Sequence, residues 1–80
     1  MYTLYIIKCS DGSLYTGIAK DLEKRLETHR QGLGSKYVRA RLPFSLFYTE
    51  KHKDRSTATK REISIKKLTR QQKLKLRNTD

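Results

Sequence analysis

The sequence predicts an α+β fold, a small three-stranded antiparallel sheet flanked by helices in the order β-β-α-β-α-α. Three observations carry this reading. Residues 2–9 and 14–19 are rich in aromatic and β-branched side chains and are separated by Ser10, Asp11, Gly12 and Ser13, which is a hairpin signal. Helix-capping residues stand at Asp21, at Asp54 or Ser56, and at Thr69, each ahead of a stretch with helical spacing of apolar residues. Between them Pro43 introduces residues 44–49, FSLFYT, as a third strand. With 80 residues, 35% of them hydrophobic, the chain is expected to form one domain over 1–80, with a single layer of helices on the sheet.

The hairpin loop decides which side chains share a face. A two-residue Asp11-Gly12 turn sets Cys9 opposite Leu14 and sends Tyr5 and Tyr15 to opposite faces. A three-residue Ser10-Asp11-Gly12 loop, ending in a left-handed glycine, sets Ile7 opposite Tyr15 and puts both tyrosines on one face. The second arrangement is the expected one. Asp21 then caps a helix to about residue 30, with Leu22 and Leu26 as its buried stripe and Gly32 and Gly34 ending it. Arg25 and His29 are one turn apart on this helix and can address the same object. Residues 34–42, GSKYVRARL, read as a polar basic loop.

The next helix, over 56–68 and stopping near Thr69, has apolar residues at Ala58, Ile65 and Leu68. Glu62, four after Ala58 and three before Ile65, falls on that same inward face. Without a metal its expected partners are Arg25 and water, although pairing with Arg61 or Lys66 is the ordinary alternative. Thr69 and Gln72 form a capping-box pattern for a last helix from 70 to about 77, with Leu74 docked and its lysines in water.

The formal net charge of +11 points to a polyanionic partner. From Lys51 onward there are 11 basic residues against three acids, so the C-terminal helical region is the expected electrostatic footprint. Cys9 is the only cysteine, which excludes an internal disulfide and a multi-cysteine zinc site. It reads as a small buried hydrophobe. The N-terminal segment has no signal-peptide pattern and no apolar run reaches membrane-spanning length, so a cytoplasmic protein is expected, nucleoid-associated if it binds DNA.

The ordered set Tyr5, Tyr15, Gly17, Arg25, His29 and Glu62 resembles the GIY-YIG nuclease superfamily. The half-motifs stand as Thr3-Leu4-Tyr5 and Tyr15-Thr16-Gly17, followed by a helix with Arg and His and a later helix with an inward Glu. The resemblance covers nearly the whole chain and is closest to the small bacterial proteins made of this domain alone. The basic loop with its following proline is also similar to the junction nucleases of the superfamily. Thr3 replaces the first glycine and Thr16 the second isoleucine of the family name, positions that give no side chain to the chemistry. Asn78, the chain's only asparagine, lies near the terminus and is not assigned the role that an asparagine has on the last helix of many members.

The resemblance implies a metal-dependent endonuclease that hydrolyses phosphodiester bonds in DNA, with branched, damaged and single-stranded forms among the candidate substrates. Glu62 would ligate one hard divalent ion, Mg²⁺ or Mn²⁺, which keeps several waters. Arg25 would contact the scissile phosphate. Tyr5 or Tyr15 would take a proton from the attacking water with help from His29, and the sequence leaves open which. A free phenol has a pKa of about 10, so this role needs a lowering of about 3. Lys36, Arg39, Arg41, Lys66, Lys67 and Arg70 are the expected nucleic-acid contacts. Two other readings stand beside this one: a nucleic-acid-binding module whose site is inactive or weak, and a subunit that needs a protein partner to supply specificity.

Overall fold

A computed structural model describes residues 1–76. Strands β1 (Tyr2–Cys9), β2 (Leu14–Ala19) and β3 (Phe44–His52) form one antiparallel sheet in the spatial order β2-β1-β3. The helices are α1 (Leu22–Arg30), α2 (Lys36–Arg39), α3 (Arg55–Lys66) and α4 (Arg70–Leu74). The predicted α+β order is the observed one, with α2 added.

The hairpin takes the three-residue loop. Ile7 pairs with Tyr15 and Tyr5 with Gly17. Cys9 N–H donates to the Ser13 carbonyl, and Gly12 holds the left-handed conformation at φ 83 that closes the loop. Tyr5 and Tyr15 therefore share a face, their ring centroids 6.5 Å apart.

The core is not the expected single layer. Leu4, Tyr5, Ile6 and Ile7 are all fully buried, although successive strand residues point to opposite faces. Tyr5 and Ile7 pack with Leu26 and Val38 from α1 and α2, whereas Leu4 and Ile6 pack with Ile65 of α3 and with Leu68 and Leu76. A central strand with no polar alternation needs cover on both faces, and α1 with α2 on one side and α3 with Leu68 and Leu76 on the other supply it.

Residues 34–42 are not a plain polar loop. Ser35 stands at the N-cap of α2, and Val38 of this short helix is fully buried against Tyr5 and Leu26. One apolar side chain per turn is enough to dock it. β3 runs three residues beyond its expected end and carries a bulge, since Ile6 faces Tyr48 while Ile7 faces Leu46. The extra residue, Phe47, joins Tyr48 on the α3 side. Asp54 is the cap of α3, accepting from Thr57 N–H, and the helix ends at Lys66 before the expected Thr69. Thr69 and Gln72 make the predicted capping box of α4. The end of that helix expected near 77, and Asn78, lie outside the described residues.

Candidate active site

Tyr5, at the middle of the central strand, is the hub of the site. Its ring projects toward β2, across its pairing partner Gly17, and a Cβ at that position would lie 2.5 Å from the hydroxyl oxygen. Glycine is required there because the phenol occupies the space of its side chain. The hydroxyl meets His29 Nε2 at 2.9 Å in a fully buried contact.

Arg25 and His29 do address one object, the phenol of Tyr5. Burial pushes the Tyr5 pKa up from 10.0 to about 12; the neighbouring Tyr15 adds to this, the charge and hydrogen bond of Arg25 oppose it, and Glu62 raises it further. Burial holds the His29 pKa below its usual 6.5, and the charge of Arg25 acts in the same direction, so the imidazole is neutral. The Tyr5 hydroxyl and His29 Nε2 share one hydrogen bond, whose direction follows the imidazole tautomer. Nδ1 is buried and without a hydrogen-bond partner.

Gly34 presses on that nitrogen, since a Cβ there would lie 2.6 Å from Nδ1. The two glycines expected to end α1 thus divide the work. Gly32 takes the left-handed conformation after the helix, at φ 77, and Gly34 makes room for His29. The signal in the sequence was a second glycine just past the one that suffices to stop a helix.

Tyr15, half-buried, lies against His29 at 5.6 Å and stacks on Tyr37 of α2 at 5.9 Å. The Arg41 guanidinium lies over the Tyr37 ring at 3.8 Å and pairs with Asp11 at 3.0 Å, and the Arg41 carbonyl accepts from Ser10 N–H. The segment around α2 is therefore strapped to the hairpin loop beside Tyr15. Of the six residues read as nucleic-acid contacts, Lys36, Arg39, Lys66, Lys67 and Arg70 are exposed, while Arg41 is half-buried in this strap. Arg70 also donates to the Gly12 carbonyl at 2.8 Å. Tyr37 escaped the sequence reading because nothing local marks a helical tyrosine as a stacking partner.

Glu62 is inward as expected, its side chain 19% exposed, and close enough for its charge to be felt by Tyr5. Its partner is not Arg25. Lys66, one turn on, pairs with it at 3.4 Å, because the i, i+4 geometry brings the two side chains together on the helix surface. Arg61 is committed elsewhere, to Glu50 on β3.

The GIY-YIG catalytic domain model matches residues 1–75 of the chain. A UPF0213 protein of Staphylococcus aureus (strain Mu3) is 55% identical over 73 residues, which is 91% of this chain and 89% of that protein. Among solved structures, EF2693 of E. faecalis superposes with a TM-score of 0.66 at 43% identity, covering 92% of this chain and 79% of that one. The UPF0213 protein BH0048 of Bacillus halodurans gives 0.61 at 39% identity, covering 95% and 82%. With the tyrosine pair on one face, the arginine and histidine meeting at Tyr5 and the glutamate at its side, the chain belongs to the GIY-YIG family.

Proposed function

We propose that this protein is a metal-dependent endonuclease that hydrolyses phosphodiester bonds in DNA. The observation that carries the reading is the convergence on one buried phenol of a neutral imidazole and a guanidinium, with a second phenol and a carboxylate beside it. A surface with no chemistry to perform has little reason to bury a tyrosine hydroxyl under one glycine and against a histidine that needs a second.

Glu62 is the residue that would hold a divalent ion. Among the described residues no group of three or more His, Cys, Asp or Glu side chains could cage a metal, so the donor set offers one carboxylate. That suits Mg²⁺ or Mn²⁺, hard ions that can keep most of their water and complete their shell with substrate phosphate. When bound, the ion supplies charge stabilisation at the phosphate and leaving oxygen.

The chain's own residues do the rest. Arg25, exposed beside Tyr5, binds the scissile phosphate and stabilises the charge that develops there. Tyr5 is fully buried, and with a pKa of about 12 its ionisation at pH 7 would cost about 7 kcal/mol. It therefore serves as a neutral hydrogen-bonding link to His29, and Tyr15, which reaches solvent, takes the proton of the attacking water as a phenolate. Lys36, Arg39, Lys66, Lys67 and Arg70 hold the flanking phosphates, with Arg41 as the clamp of the strap beneath them.

The buried, hard-to-ionise Tyr5 is also the feature that favours the second reading, a DNA-binding module with a weak site. One experiment separates them: cleavage of linear, branched and single-stranded DNA with Mg²⁺, Mn²⁺ or chelator, alongside binding, for the wild type and Glu62→Ala. The expected result is metal-dependent cleavage that Glu62→Ala abolishes while binding persists. Cleavage that survives the substitution, or none by the wild type with either metal, overturns the nuclease reading.

A further inference from the structure

α3 buries little apolar surface with which to hold its own orientation. Its fully buried residues are Ala58 and Ile65, and alanine offers no length of side chain to lock the rotation of a helix. A polar cluster stands on the same side of the sheet. Glu50, on β3 opposite Leu4, has a side chain 18% exposed and accepts from four donor atoms. Arg61 grips it through two nitrogens: Nε donates to both oxygens, at 3.1 and 3.0 Å, and Nη2 lies 3.0 Å from the second of them. Tyr48 donates its hydroxyl to Glu50, and His52 Nε2 lies 3.0 Å from it. Burial by itself would raise the Glu50 pKa, but the hydrogen bonds from Arg61, Tyr48 and His52 outweigh it and hold the carboxyl below its ordinary value.

The geometry of α3 links this cluster to the site. At about 100° per residue, Arg61 falls about 60° to one side of Ala58 and Glu62 about 40° to the other. The two neighbours thus straddle the apolar seam. Arg61 reaches β3 at one margin of the sheet, which turns Glu62 toward β2 at the opposite margin, where the Tyr5 phenol overhangs Gly17. Rotation of α3 that released Arg61 would carry Glu62 away from Tyr5.

We infer that the Glu50–Arg61 fork is a positioning pair for the candidate metal ligand: it fixes the rotation of α3 and so aims the Glu62 carboxylate. A lysine cannot replace Arg61 in this role, because an ammonium binds a carboxylate as a point charge and leaves rotation about the contact free. The inference rests on the reading of Glu62 as the ligand of a divalent ion.

The test uses Arg61→Lys and Glu50→Gln, with Glu62→Gln as the control for that reading. Mn²⁺ alone is titrated into ¹⁵N-labelled protein, and the broadening of amide resonances around Glu62 is followed. Cleavage is measured in parallel as kcat and KM at a temperature where each variant is folded. Glu62→Gln should abolish the broadening. The two fork variants should retain it with the Mn²⁺ midpoint raised about tenfold, the lower end of what misplaced support of a metal ligand costs. Their kcat should fall with KM for DNA unchanged.

Broadening that survives in Glu62→Gln would sink the reading of the ligand, and the inference with it. If that control behaves as expected while both fork variants melt lower yet keep the wild-type midpoint and kcat, the fork is merely structural and the inference alone is overturned. Failure of one variant to fold leaves the other to decide. Failure of both overturns it too, since the pair would then hold up the whole fold.

Discussion

Replacing Gly17 by alanine tests the packing that builds the site. The new methyl would lie 2.5 Å from the Tyr5 hydroxyl oxygen and 2.7 Å from Cζ, against the 3.4 Å where ordinary contact begins, so the ring or the strand must yield by about 0.9 Å. The ring is fully buried and bonded to His29 at 2.9 Å, which leaves outward movement of the edge strand β2 or loss of that hydrogen bond. Overpacking costs about 1–3 kcal/mol, and a broken buried hydrogen bond costs about 1–3 kcal/mol more where both occur. Removing a glycine from a strand returns about 0.5–1 kcal/mol. The net expectation is a loss of about 2–3 kcal/mol, or a melting temperature lower by roughly 10–20 °C for a domain of this size. Thermal melts followed by circular dichroism measure it. The same substitution in a Tyr5→Leu background should be neutral or stabilising, because the methyl then fills the space the ring has left. A Gly17→Ala protein that melts within 2 °C of wild type, or one equally destabilised in the Tyr5→Leu background, would refute the reasoning.

Thr16 is 4% exposed and its hydroxyl has no hydrogen-bond partner, so Thr16→Val should raise stability by about 1 kcal/mol; an unchanged or lower melting temperature would argue for a hidden partner. His29 has a folded-state pKa below 6.5, so on acidification the unfolded chain takes up its proton first. Its contribution is complete above about pH 6.5 and declines below it, and denaturant melts from pH 8 to 5 should show a fall that His29→Gln flattens. Tyr5 acts at the other end of the scale: with its pKa raised from 10.0 to about 12, its contribution is complete below pH 10 and lost as pH rises toward 12. Alkaline melts of wild type and Tyr5→Phe should therefore converge over that interval. Binding to duplex or single-stranded DNA through the five exposed cations should give a slope of log K against log[salt] of about −3.5 to −4.5. A flat salt dependence would exclude an electrostatic footprint.

What the sequence by itself determined about this protein is the part governed by near neighbours. The strand composition, the Asp21, Asp54 and Thr69 caps and the left-handed Gly12 depend on a few adjacent backbone dihedrals and hydrogen bonds, and the order of the site residues along these elements could be read directly. The hairpin register was legible as a choice between two loops, because one extra loop residue turns every side chain over. What only the tertiary structure decided is each contact between distant segments. The hydroxyl of Tyr5 is buried because His29, 24 residues away, closes over it, and Gly34 is needed because His29 stands there. The bulge at Phe47, the docking of Val38 and the Arg61–Glu50 fork are likewise set by what lies across the sheet. Glu62 shows both levels in one residue. Helical spacing alone turns it inward, but whether it meets Arg25, Arg61 or Lys66 depends on which of those cations another element has already engaged, and Glu50 has taken Arg61.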